Sequence, residues 1–221
     1  FVRLNTCSVP LSPQELRQAL YPGKFVDFIS DQAEQSQAVK ILLGISEPDF
    51  RMRDIELMVR YIGFKFFLSS YAGNLRTFLD DTCDVLNREW EKREKEITES
   101  MIEFENAIQA MVDIFGEANI ARKWTGTEFE NRPNRAVLDI MAFYFSNETT
   151  RNVAKKNGKL VVDEFKKLCV SNDGFRKSIE TTTKSLTATH DRFFYWGDLL
   201  RRTLNLKIVV PDWNDEKNRI V

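Results

Sequence analysis

Apolar positions recur along the chain at spacings of three and four and seldom alternate, which predicts helices almost throughout. The clearest run covers residues 75–115, where Leu75, Leu79, Cys83, Leu86 and Trp90 are followed by Ile97, Met101, Phe104, Ile108, Met111 and Phe115. Unbroken, that run is one helix about 60 Å long at ~1.5 Å per residue. Its middle is nearly all charge of mixed sign (Arg-Glu-Trp-Glu-Lys-Arg-Glu-Lys-Glu from residue 88), the pattern of a solvated, self-paired face. A break there, giving a helical hairpin, is the alternative. Residues 55–68 are apolar almost all round, so they are expected to form the most buried helix and the centre of the fold.

Punctuation sets the other elements. Ser12-Pro13-Gln14-Glu15 has the form of a capping box, and the helix it opens should stop at Pro22-Gly23. A second helical stretch, 25–43, is ended by the segment from Gly44 to Pro48. A loop at 123–134 holds Trp124, Gly126 and Pro133, and helices follow at about 135–145, 149–157, 159–170, 175–183 and 188–204. Strand-like character is confined to residues 1–4 and 207–210, the latter a short strand or an extended tail. The expected fold is therefore all-α: an irregular multi-helix bundle with one long helix or helical hairpin, and a short β-like segment at the N-terminus.

Composition narrows the chemistry. Among 221 residues, 43% are hydrophobic and 29% charged, as in an ordinary globular protein, and six Pro with nine Gly disfavour a many-turned β sandwich. Thirty-two Lys and Arg against 33 Asp and Glu leave a net charge of −1, so nucleic acid or an acidic membrane would have to be met by a local patch. Arg60 and Lys65 interrupt the most hydrophobic stretch, and no run approaches the ~20 residues that cross a bilayer; no membrane partner is expected. Three unclustered cysteines, Cys7, Cys83 and Cys169, supply neither a disulfide framework nor a four-thiolate zinc site, which fits a reducing cytoplasm. A single histidine, His190, excludes metal sites built on histidine pairs, and is expected at the surface or half-buried. The adjacent Asp80 and Asp81 diverge by ~100° on a helix and read as surface charge. No phosphate-cradling glycine loop and no hydrolase or zincin signature occurs.

The first twenty residues carry a more specific signal. Phe1-Val2-Arg3-Leu4-Asn5-Thr6 is followed by Leu11-Ser12-Pro13-Gln14-Glu15-Leu16-Arg17 and then Ala19-Leu20. This stretch resembles the closing segment of the nucleotide-hydrolysing domain of GmrSD-type restriction endonucleases, a GmrS-like family of ParB/sulfiredoxin fold found in bacterial anti-phage systems. Weaker similarity continues in residues 51–63 (Arg-Met-Arg-Asp-Ile-Glu-Leu-Met-Val-Arg-Tyr-Ile-Gly) and 134–141 (Asn-Arg-Ala-Val-Leu-Asp-Ile-Met). The resemblance implies that residues 1–22 close a nucleotide domain whose main part lies upstream, and that residues 23–221 form its helical C-terminal domain. It implies NTP, with or without Mg, as ligand of the full-length parent, with no cofactor in this chain. Arg3 and Asn5 are the positions it places at the nucleotide pocket, the first able to fork onto phosphate oxygens and the second able to donate and accept. Read without the resemblance, Arg3 is a strand-edge charge and Asn5 a turn former. The family's Asp-Gly-Gln-Gln-Arg motif is absent from these residues, Cys7-Ser8-Val9 stands where its turn is glycine-rich, and the histidines of its nuclease half are missing.

Two further patterns stand beside this one. Arg192-Phe193-Phe194-Tyr195-Trp196 with Arg201-Arg202 interleaves basic and aromatic residues as nucleic-acid binders do, although core aromatics with cations snorkelling at the rim read the same way. Lys155-Lys156, Lys159 and Lys166-Lys167 read as solvated surface. The expected partners are the upstream nucleotide domain, with DNA and a second copy of the chain kept open. The competing function is a free-standing helical interaction or DNA-contacting module without catalytic activity.

Overall fold

Ser12 and Glu15 start the first helix by satisfying each other. The Ser12 hydroxyl accepts from the Glu15 amide at 3.1 Å, and the Glu15 carboxylate accepts from the Ser12 amide at 2.6 Å, so two otherwise orphaned donors are paired. Asn74, Asn134, Asn147, Asn172 and Ser185 cap later helices through the same side-chain-to-amide bond. The computed structural model describes residues 10–221. Among them run eleven α-helices: α1 (Pro13–Leu20), α2 (Lys24–Gln35), α3 (Gln37–Leu43), α4 (Arg53–Phe67), α5 (Leu75–Arg88), α6 (Trp90–Phe115), α7 (Arg135–Ser146), α8 (Glu148–Lys156), α9 (Gly158–Ser171), α10 (Asp173–Glu180) and α11 (Leu186–Thr203). Two short strands among the described residues, β1 (Trp213–Asn214) and β2 (Arg219–Ile220), pair antiparallel. The protein is an all-α multi-helix bundle.

The 75–115 run breaks at one residue. Glu89 leaves helical geometry (φ −99°, ψ 9°), yet its amide still donates to the Val85 carbonyl at 2.9 Å and its carbonyl accepts from the Arg93 amide at 3.2 Å. One linking residue is fewer than the two to five of an αα-hairpin, so α5 and α6 meet at a kink. Both helices touch α2 and α4, but α5 packs mainly there, whereas α6 continues onto α7, α8 and α9. The charged start of α6 faces solvent, with Arg93 paired to Glu89 and Glu96. The 25–43 stretch also splits, because Ser36 caps α3 through its hydroxyl and hydrogen-bonds Glu105 of α6.

The most buried helix is α7 rather than the 55–68 segment. Ten of the twelve residues of α7 are buried, against ten of fifteen in α4. The reason is position: α7 is surrounded by α4, α6, α8 and α11, whereas the last turn of α4, with Lys65, Phe66 and Phe67, is only partly covered. Phe64 remains a core hub, its ring 5.3 Å from those of Phe78 and Phe193 and 5.8 Å from Tyr71. Gly197 lets α11 approach α7, since a Cβ there would collide with the Tyr144 hydroxyl. Residues 207–210 have no regular structure, and the β1–β2 pair forms a few residues later.

Candidate anion-binding cleft

A cleft of about 840 Å³ opens between α1, the 49–53 turn, α4 and the first turns of α5 and α7. Seven cations line it, Arg17, Arg51, Arg53, Arg60, Arg76, Arg135 and Lys184, against two carboxylates, Glu56 and Glu180. Most carboxylates that orient the arginines (Glu15, Asp49, Asp80 and Asp139) are not part of the lining, whereas Glu56, the partner of Arg135, is.

Two arginines are part of the buried framework. Arg17, 2% exposed, points from α1 into the bundle. Its Nε donates to Asp80 Oδ1 on α5 at 2.8 Å and its Nη1 to Gln14 Oε1, while Arg76 approaches the second Asp80 oxygen at 4.0 Å. Arg60 of α4 makes a fork onto Asp139 of α7, Nε to Oδ1 at 2.6 Å and Nη2 to Oδ2 at 2.7 Å. Arg192 of α11 reaches the same Oδ2 at 3.2 Å and also donates to the Thr183 carbonyl at 2.7 Å. Two Arg–Asp–Arg sets result, each with one more cation than carboxylate. Burial pushes Arg192 down to about 10. Burial also opposes the charge on Arg60, but the Asp139 carboxylate outweighs it and holds that pKa above the usual arginine value.

The 49–53 turn presents the rest. Asp49 Oδ1 accepts from the Arg51 amide at 2.9 Å and the Arg53 amide at 3.3 Å, and Oδ2 accepts from Arg53 Nε at 2.8 Å. Hydrogen bonding by the Arg53 side chain, reinforced by those amides, keeps the Asp49 carboxyl below its ordinary range despite burial. Met52, the N-cap of α4, is held at φ +55°, an uncommon conformation for a side chain of its size. The turn thereby sets Phe50 on the rim, 83% exposed, and clasps α1: Arg51 pairs with Glu15 at 3.3 Å and Ser12 Oγ donates to the Arg51 carbonyl at 3.1 Å. Arg135 pairs with Glu56, both in the cleft lining, at 2.9 Å.

Arg3 and Asn5 lie outside the described residues. Of the stretch that follows them, Gln14 and Arg17 are buried and Arg17 lines the cleft, while Glu15 serves the cap. Asp80 is not simple surface charge: it anchors Arg17, because the α1–α5 contact brings a buried guanidinium to it, whereas Asp81 is exposed. Arg192 does not snorkel; it is 1% exposed and tied to Asp139, while Phe193 and Trp196 are core. His190 is partly buried, stacked on Phe194 and edge-on to Trp213, with Nδ1 3.1 Å from Asp191. Lys155 pairs with Asp113 and Lys167 with Glu164, and Lys166 lies 4.2 Å from the Trp124 ring centre. Cys83 and Cys169 are buried free thiols, pushed up to about 12 by burial.

Among the described residues no group of three or more His, Cys, Asp or Glu side chains is placed to hold a metal, and no helix is long and apolar enough to cross a membrane. No family model, curated protein or solved structure matches the chain.

The Arg60–Asp139–Arg192 set is absent from the sequence expectations. Its signal was a single arginine inside the apolar 55–68 run and a single aspartate inside Ala-Val-Leu-Asp-Ile-Met, since ions in such surroundings are buried only when paired.

Proposed function

We propose that this chain is the helical C-terminal portion of a GmrS-like, restriction-type defence protein. In this reading it supports an NTP-hydrolysing domain that carries the Asp-Gly-Gln-Gln-Arg motif upstream, and has no turnover of its own. The observation that carries the reading is the seat of α1. The Leu-Ser-Pro-Gln-Glu-Leu-Arg stretch, on which the resemblance is densest, forms a helix clasped by Arg51 and Ser12, with its buried Arg17 on the wall of an arginine-lined cleft. That arrangement anchors the start of α1, and the wall to which Arg17 contributes is cationic and suited to phosphate. The exposed apolar side chains Leu11, Leu20 and Phe50 lie on or next to the same two clasped segments, as a domain contact requires.

The test compares ATP and GTP turnover by the full-length parent, by its Arg3→Ala and Asn5→Ala variants, and by residues 1–221 alone. Turnover is expected from the parent only, and each variant should lose roughly ten- to a hundredfold in nucleotide affinity, the worth of a charge-assisted hydrogen bond of ~1.5–3 kcal/mol. Turnover by residues 1–221 alone, or a parent indifferent to both substitutions, would refute it. A parent without NTPase activity that binds DNA through this chain would favour the free-standing DNA-contacting module.

A further inference from the structure

We propose that the cleft between α1, α4, α5 and α7 is itself a binding site for the oligophosphate chain of a nucleotide, with Arg17, Arg60, Arg76 and Lys184 as its phosphate contacts. The choice of a nucleotide over other oligophosphates rests on the function proposed above; the anion site stands on the geometry.

The cations of the cleft are unequally paired. Arg51, Arg53 and Arg135 each have a carboxylate of their own in Glu15, Asp49 and Glu56. Arg17 and Arg76 share the single carboxylate of Asp80, and Arg60 shares Asp139 with Arg192. Lys184 has no carboxylate within ion-pair distance among the described residues. Glu180, which also lines the cleft, shares Lys123 with Glu130, so one excess carboxylate offsets one of these cations, and the two Arg–Asp–Arg sets with Lys184 still leave the cleft net positive. One surplus lies in a set whose three members are each no more than 6% exposed, where water compensates poorly. An anion in the cleft supplies the missing charge.

The donors are also preorganised. Arg60 spends Nε and Nη2 on Asp139, and Arg17 spends Nε and Nη1 on Asp80 and Gln14. Arg60 Nη1 and Arg17 Nη2 have no hydrogen-bond partner among the described residues, and both side chains line the cleft. Guanidinium forks already held by carboxylates lose little freedom on meeting a phosphate.

Size selects the class of ligand. The volume, about 840 Å³, falls within the ~300–1,000 Å³ of small-molecule sites. The Arg17 and Arg60 side chains are 1% and 6% exposed, reachable by a small anion entering the cleft and recessed from a duplex backbone lying across the surface. Surplus charge in two separate sets favours several linked phosphates over one. The Phe50 ring on the rim offers a face on which a base can stack.

The experiment is titration calorimetry of residues 1–221 at low salt with inorganic tripolyphosphate, ATP, orthophosphate and a 20-base-pair duplex. Tripolyphosphate and ATP should bind, with orthophosphate at least tenfold weaker. Arg76→Glu and Lys184→Glu, both at exposed positions that leave the core intact, should each weaken tripolyphosphate tenfold or more, and Phe50→Ala should weaken ATP while leaving tripolyphosphate unchanged. Arg17→Gln is informative only if its melting curve shows a folded chain; the two exposed variants keep the proposal falsifiable without it. Absence of tripolyphosphate binding at millimolar concentration, or affinity unchanged in both charge-reversal variants, would overturn the site. Duplex bound more tightly than ATP and lost in the same variants would overturn the nucleotide assignment. A parent that hydrolyses NTP while residues 1–221 bind no tripolyphosphate defeats this inference alone, and the converse defeats the proposed function alone.

Discussion

Replacing Asp139 by Asn tests the central electrostatic claim, because the side chain keeps its volume and loses only its charge. Asp139, 6% exposed, accepts three hydrogen bonds, two from Arg60 and one from Arg192. Without its charge two guanidiniums face each other across a neutral amide in the interior. Removing one partner of a buried pair costs about 3–5 kcal/mol, and the surplus cation already present puts this site at the upper end. At roughly 2–4 °C per kcal/mol for a chain of this size, the melting temperature should fall by about 10 °C or more. High salt should restore little of it, since buried charges are weakly screened.

The comparison that isolates the effect is Arg192→Met. Arg192 is the cation whose pKa burial depresses to about 10, so below that pH its charge opposes folding, and the cost is relieved only as pH rises through 10. Its removal leaves Arg60 and Asp139 as a neutral pair and leaves the Thr183 carbonyl without a donor, a loss of ~1–3 kcal/mol. Thermal denaturation followed by circular dichroism should therefore rank Asp139→Asn well below Arg192→Met. The reverse order, or an Asp139→Asn variant within about 2 °C of the parent, would refute the reasoning.

Phe64→Ala should destabilise by ~3–5 kcal/mol, whereas Phe67→Ala, at a half-buried ring, should cost about 1–2 kcal/mol; urea denaturation separates the two. The Asp49 carboxyl is held below its ordinary value of 3.8, so its contribution is present above about pH 4 and is lost as pH falls through the depressed pKa. An Asp49→Asn variant should be less stable at pH 7 and show a shallower acid decline. In a Cys7→Ser background, Cys83 and Cys169, both pushed up to about 12, should resist iodoacetamide at pH 8 until the protein unfolds.

The helices are legible because their caps and apolar spacings are local signals. Ser12, Asn134, Asn147 and Ser185 each act through an amide two or three residues away, and sequence records that distance directly. Ser36 escapes such a reading because it caps α3 from inside a continuous helical pattern and donates its hydroxyl to the carboxylate of Glu105, 69 residues on. The kink at Glu89 is open to either reading because the three-and-four spacing continues through it, and the break shows only in the backbone, where Glu89 leaves helical geometry. The relative burial of α4 and α7 follows from tertiary position, which hydrophobicity alone does not encode. The cleft is the least legible feature. Arg17, Arg60 and Arg192 depend on partners 63, 79 and 53 residues away, so each looks like an isolated charge. Only the meeting of α1 with α5 brings Asp80 to Arg17.

The cost of burying these ions implies a use for them. A buried ion set is weak support for a fold, since apolar side chains of similar volume often serve as well or better by about 1–4 kcal/mol. If the Arg60–Asp139–Arg192 set existed only to hold α4, α7 and α11 together, the combined substitution Arg60→Met, Asp139→Leu and Arg192→Met would be tolerated and would have no other consequence. The cleft makes a second consequence calculable. The triple substitution removes Arg60 and the surplus charge from one wall while leaving Arg17 and Arg76 in place, so the melting temperature should hold or rise while tripolyphosphate affinity falls at least tenfold. A bound ligand at a hundred times its dissociation constant stabilises the unsubstituted chain by about 2.7 kcal/mol, and a tenfold weaker site at the same ligand concentration gives about 1.4 kcal/mol, so ligand-induced thermal stabilisation should fall to about half or less in the triple variant. A triple variant that melts as high as the parent and still binds tripolyphosphate with parental affinity would reduce the buried arginines to structural pairing, and the cleft would have to be explained by Arg17, Arg76 and Lys184 alone.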